Sequence, residues 1–172
     1  MRIKQLTIFA LSAITLVSSL STSCKKSNSS DPPNPYKNNS LNATVNGASF
    51  TITGGNAEGY HDTVQHLWRI GGLRTTDSAA LSLFIYDTFT VNQPVTTPKS
   101  ALEYVPSAKA GYYNYVGVCN TTITVTSLDT ANRIITGTFG GNLTGNGILY
   151  FGKAVTDTTV VTHGNFSVYY NL

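Results

Sequence analysis

The chain has 172 residues, of which a leader and tether take up about forty, so one core of ordinary domain size fits and a second does not. Charged residues make up only 11%, under half the roughly 25% of an average soluble domain, which excludes a coiled coil or a salt-bridge-laced helical bundle. The formal net charge of +3 sits in the leader and tether; from Leu41 onward six cations face seven anions, and the basic cluster that nucleic-acid binding needs is missing.

The N-terminus has a positive start (Arg2, Lys4) and an apolar stretch from Leu6 to Leu20 that runs through Ser21, Thr22 and Ser23 into Cys24. Fifteen residues at about 1.5 Å each reach roughly 22 Å, short of the roughly 30 Å hydrocarbon core, so the stretch reads as a secretion signal over residues 1–23. Small residues leading directly into a cysteine, with Leu20 four positions before it, resemble the lipobox of bacterial lipoproteins. The resemblance implies diacylglycerol transfer to Cys24, cleavage before it and acylation of the new terminus, hence attachment to a membrane through lipid. Residues 24–40, rich in Ser, Asn and Pro and without a hydrophobic period, read as a tether of about 20 to 24 Å as a coil. With Cys24 acylated, Cys119 has no intramolecular partner and reads as a buried small hydrophobe.

From Leu41 to the C-terminus the dominant period is two. Leu41, Ala43 and Val45 alternate with polar residues, Asn46-Gly47 follows, and Phe50 and Ile52 alternate again, which predicts a hairpin over a type I′ turn. Further strands are expected at Leu67–Ile70, Leu81–Tyr86, Leu102–Val105, Tyr112–Cys119, Thr121–Leu128, Ile134–Phe139, Gly147–Phe151, Thr159–Thr162 and Phe166–Tyr170. The piece 92–100, with Pro94 and Pro98, must be a loop or an edge. No window carries a sustained helical stripe. About ten short strands in residues 41–172 predict an all-β domain, a single antiparallel β-sandwich or alternatively a β-barrel.

The run TITVTSLDTANRIITGTFGGNL followed by VVTHGNFSVYY is similar to the C-terminal half of a family of uncharacterised Bacteroidota lipoprotein domains. In those domains a strand ending in Leu-Asp leads through a turn to an "isGtF" strand and then a closing "tnGkF" strand. The matching pieces are Ser127–Thr130, Ile135–Phe139 and Thr162–Phe166, with Trp68-Arg69-Ile70-Gly71 fitting as well. The likeness covers about half of the mature chain and implies fold and compartment, an outer membrane with either face open. It carries no activity, so no functional residue follows from it.

Sites for chemistry are sparse. His61, Asp62, His66 and His163 do not make the three or four convergent ligands that zinc needs, and the seven acids are scattered singly, so neither a metal nor a cofactor is expected. No nucleophile-elbow, zincin or redox-cysteine motif occurs. Glu58 and Glu103 are the only glutamates and would make a glycosidase pair only if folding brought them within about 5 to 10 Å. Trp68, Tyr112, Tyr113 and Tyr115 are candidate ligand-binding aromatics, because flat rings among amides and hydroxyls suit sugar rings or a protein partner. Every Asp from Leu41 onward is followed by Ser or Thr. Asx and Ser/Thr turns favour such pairs, and at Thr63, Ser78, Thr130 and Thr158 the following small or aliphatic residue also resembles the acceptor motif of envelope O-glycosylation in Bacteroidota; Thr88, followed by Phe89, departs from it. The expectation is a lipid-anchored envelope protein acting by binding a glycan or an envelope protein, with an envelope enzyme acting on glycans as the alternative.

Overall fold

The structure, a computed structural model, describes residues 34–86, 88–106, 115–116, 119–144 and 158–172; Cys24, Tyr112, Tyr113 and the expected strand at Gly147–Phe151 lie outside them. Eleven strands follow in chain order: β1 (Ser40–Val45), β2 (Ala48–Thr53), β3 (Ala57–Asp62), β4 (Leu67–Arg74), β5 (Ala79–Tyr86), β6 (Pro94–Thr96), β7 (Ser100–Val105), β8 (Tyr115–Val116), β9 (Cys119–Asp129), β10 (Ile134–Thr144) and β11 (Thr158–Asn171). The only helical turn among the described residues is a 3-10 turn at Gly54–Asn56, so the protein is all-β as its periodicity predicts.

Turn chemistry sets the hairpins. Asn46 and Gly47 take φ of 50° and 82°, as a type I′ turn requires, and Asn46 extends the ladder by donating its N–H to Val160 O at 2.9 Å and accepting from Val160 N–H on Oδ1 at 2.8 Å. The β3–β4, β4–β5 and β9–β10 hairpins each use a four-residue loop, and its last residue, His66, Ser78 or Arg133, is left-handed. The aspartate before the first and third loops ties the turn together. Asp62 Oδ1 accepts from the N–H groups of Val64 and Gln65 at 2.9 Å, and Asp129 Oδ1 accepts from those of Ala131 and Asn132 at 3.0 and 2.9 Å. In the second loop Asp77 accepts from Ala79 N–H at 3.2 Å and holds the Arg74 guanidinium bidentately.

β11 is the strand on which the two layers meet. β10 pairs with it antiparallel from Thr158 to Tyr169; along its other edge β1 pairs with residues 161–167, and β3 takes over in parallel at Tyr170 and Asn171. At this changeover the carboxamide of Asn39, 4% exposed, stands in for a strand: its Oδ1 accepts from Tyr169 N–H at 2.8 Å and its Nδ2 donates to Ala57 O at 2.7 Å. Tyr36 packs edge-on against Tyr169, with ring centroids 5.3 Å apart. The folded contacts therefore reach back into the stretch that composition assigns to the tether.

From β11 the sheet runs one way through β10, β9 and β6 and the other way through β3, β4, β5, β7 and β8, with the β1–β2 hairpin as a side branch. The two ends approach each other: Ser100 Oγ at the start of β7 lies 3.0 Å from Val95 O in β6 and 3.2 Å from Thr121 O in β9. The sheet is thus nearly closed and barrel-shaped, and both the sandwich and the barrel descriptions fit. Its one departure from an antiparallel arrangement is the β11–β3 pair. β3 also escapes periodicity, because its inward positions are Ala57 and Gly59 rather than large apolar residues; a Cβ on Gly59 would meet Tyr170 Cβ at 2.9 Å. The proline-bearing piece 92–100 supplies only β6, three residues at the sheet edge paired with β9.

Leu41, Phe50, Ile52, Ile70, Leu81, Leu83, Ile85, Leu102, Ile123, Val125, Ile135 and Leu143 form the fully buried centre. Around it the G-x-F pieces of β10 and β11 interlock: Gly137 lies opposite Phe166, Thr138 opposite Asn165 and Phe139 opposite Gly164. Each ring covers the glycine across the ladder, and a Cβ on Gly164 would meet Phe139 O and its ring at 2.5 and 2.6 Å. A bulge in β11 at His163, φ 53°, makes this possible, since the extra residue shifts the inward positions from Val161 to Gly164 and Phe166.

Gly137→Ala and Gly164→Ala are each expected to destabilise the fold by about 2 to 3 kcal/mol through overpacking, whereas Thr138→Ala on the exposed face between them should change stability by less than about 0.5 kcal/mol. Asn39→Ala should cost about 2 to 4 kcal/mol, because it strips Tyr169 N–H and Ala57 O of their partner. Urea denaturation midpoints at constant slope check all four.

Candidate functional site

The two outer faces of the sheet differ in chemistry. On β1, β2, β9, β10 and β11 the outward row Thr124, Thr138, Asn165, Asn42 and Thr51 crosses five strands, and a second row runs through Thr136, Ser167, Ser40 and Thr53. Among the described strand residues of this face the only Asp, Glu, Lys or Arg is Asp129, at the end of β9 opposite Ile134, and its carboxylate is engaged by the β9–β10 turn. Its hydroxyls and amides bond partly to one another, with Asn42 Nδ2 donating to Asn165 Oδ1 at 3.1 Å and Thr126 and Thr136 hydroxyls 3.3 Å apart.

The outer face of β3, β4 and β5 is aromatic and carries charge. One cross-strand row is Asn171, Tyr60, Arg69, Phe84 and Ala101; the next is Glu58, Gly71, Ser82 and Glu103. Tyr60 and Tyr86 are each 45% exposed, and the Phe84 and Tyr86 rings lie nearly parallel with centroids 6.3 Å apart. A trough of about 500 Å³ opens beside Tyr60. Gly71 and Ser82 form its floor, Glu58, Tyr60 and Arg69 rise along it, and Gly55 and Asn56 of the 3-10 turn close one end with Leu73. The floor is low because Gly71 has no side chain: a Cβ there would meet Ser82 Oγ at 3.0 Å.

This arrangement can hold a ligand but brings no catalytic pair together. Glu58 and Glu103 share a face and a row, yet β4 and β5 lie between them, and three spacings of about 4.8 Å set them roughly 14 Å apart. A glycosidase pair spans about 5 to 10 Å. Among the described residues no group of three or more His, Cys, Asp or Glu is placed to hold a metal.

The sequence candidates fall out unevenly. Trp68 is a correction: at 6% exposure it is core, stacked on His61 with centroids 3.9 Å apart and edge-on to Tyr170 and Phe89. Its inward position follows from Arg69 being outward on the same strand. Tyr112 and Tyr113 lie outside the described residues, and Tyr115 opens β8 opposite Tyr104. Thr63, Ser78, Thr130 and Thr158 are all exposed, as is Thr88. The aromatics that do face outward, Tyr60, Phe84 and Tyr86, were missed. A signal existed in Leu83-Phe84-Ile85-Tyr86, where an unbroken apolar run on a strand must place every second ring on the outer face. Comparison with protein-family models, with curated proteins and with solved structures gives no match for this chain.

The His61–Trp68 stack has a consequence for pH. Burial and the neighbouring His66 lower the His61 pKa from the ordinary 6.5, against the opposing pull of Asp62. The unfolded chain then binds the proton more readily, so stability is full above pH 6.5 and falls as pH drops through the depressed folded value. His61→Phe keeps a ring on Trp68 and should flatten this part of the profile. Urea melts followed by the emission of Trp68, the only tryptophan, at a series of pH values from 7.5 to about 5 read it out.

Proposed function

We propose that the protein is a lipid-anchored outer-membrane protein whose β-domain is a non-catalytic binding module for a glycan or an envelope protein. The observation that supports binding most is the trough on the outer face of β3–β5, where the exposed Tyr60 ring adjoins Glu58 and Arg69 in a volume of about 500 Å³, within the range of small-molecule sites. The anchor rests on the leader and on the small residues before Cys24. In the expected test, Cys24→Ser abolishes lipid labelling and moves the protein from the membrane to the soluble fraction, because the tether has no other hydrophobic element. Retention in the membrane fraction would refute lipid attachment.

A modification accompanies this reading. Thr63, Ser78, Thr130 and Thr158 are exposed at strand junctions, where a hydroxyl is open to a transferase, and a sugar there adds bulk and solubility to a surface short of charge. The neighbouring Asp62, Asp77 and Asp129 already have a structural use in their turns. Intact mass of the protein from its native host should exceed that of lipidated polypeptide by whole sugar units, and Thr63→Val with Thr130→Val should remove part of the excess.

A further inference from the structure

Resting on that reading of the trough, we infer that its ligand is a neutral sugar whose adjacent hydroxyls are held between Glu58 and Arg69, with the ring against Tyr60. Glu58 lies opposite Gly71, and Tyr60 lies opposite Arg69, so carboxylate and guanidinium are diagonal neighbours over the glycine floor. Diagonal pairs stand about 7 Å apart, within reach of long side chains. They nevertheless form no ion pair, and the only salt bridge among the described residues is Arg74–Asp77. The trough thus presents an acceptor-only group and a donor-only group that no protein atom satisfies.

The charge pattern selects the ligand. An acidic ligand gains at Arg69 but meets Glu58 beside it; a basic ligand gains at Glu58 and meets Arg69. A vicinal diol has no such conflict, because one hydroxyl donates to the carboxylate while its neighbour accepts from the guanidinium. The Ser82 hydroxyl at the floor adds a neutral polar group, and the Asn171 carboxamide, bonded to the Tyr36 hydroxyl, forms the rim. Tyr60, exposed and next to Arg69, offers the flat apolar surface that the C–H face of a pyranose packs on. The ring and the two charged groups sit on three consecutive corners of one cross-strand square, a spacing that suits one sugar residue with room in the trough for a second.

The test titrates the full chain, solubilised in detergent, with neutral oligosaccharides (gluco- and manno-oligosaccharides), an oligouronate and an oligomer of glucosamine, following each by calorimetry. Neutral sugars are expected to bind, with affinity reduced at least tenfold by Glu58→Gln and by Arg69→Met and lost in Tyr60→Ala, while Thr138→Ala on the other face changes nothing. The variants are at exposed positions, and unchanged circular dichroism and melting confirm their fold. Preferential binding of the oligouronate or the glucosamine oligomer that still needs Tyr60 overturns the neutral-sugar inference and leaves the trough as the binding site. Neutral-sugar binding indifferent to all three variants, or no binding of any sugar, overturns the inference; in the first case the trough reading falls as well.

Discussion

The fold depends on how one strand serves two layers. β11 is 14 residues long and outlasts β1, so its outer edge must change partner between Ser167 and Tyr170. A change of partner leaves a backbone N–H facing a gap, and a buried orphan amide costs about 1 to 3 kcal/mol. Asn39 removes that cost with one carboxamide, which accepts from Tyr169 and donates to Ala57. Because Ala57 opens β3, the same side chain fixes where the second layer begins. Once β3 is set parallel to β11, the β3–β4–β5–β7 meander follows through two four-residue turns and the short return by β6, and the sheet has little choice but to curl back toward β9.

Curling requires large rings to fit close to a neighbouring backbone, and the two G-x-F pieces supply that fit reciprocally. A slip of either strand by one residue would turn its own phenylalanine outward and leave the glycine across from it uncovered, so the pairing of Gly137 with Phe166 and Phe139 with Gly164 also locks the alignment of the β10–β11 ladder. The interlocked G-x-F pieces are therefore a packing device.

Where the sequence was legible, the physics was local. The Asn46-Gly47 turn, the alternation in Thr122–Thr126 and the edge position forced on Pro94 all follow from residues within a few positions of one another. The aspartate turns were equally readable, since Asp62 and Asp129 each stand one residue before a four-residue loop. What could not be read depended on distant partners. β3 shows two small inward residues because Tyr170 and Val168, more than a hundred positions away, already fill the space above Gly59. The burial of Trp68 is set by His61, Phe89 and Tyr170 rather than by its own neighbours in sequence. The trough is invisible for the same reason: its members come from β3, β4, β5, the 3-10 turn and the last residues of the chain.

The scarcity of charge gives the site its meaning. Of the described acids in the β-domain, Asp62, Asp77 and Asp129 are held in turns, and Asp77 also occupies Arg74, whose guanidinium lies 4.4 Å from the Phe50 ring centre. Arg133 sits in the β9–β10 turn, while Glu58, Glu103 and Arg69 project from the outer face of β3, β4, β5 and β7. On the opposite sheet face the described strands carry only Asp129, which its turn engages. In a protein that spends so few charges, fold stability does not call for an unpaired glutamate and an unpaired arginine over a glycine floor, because exposed single charges add little to it. The threonine-rich face of the other layer is what the same sheet looks like when β-propensity and solubility act on it.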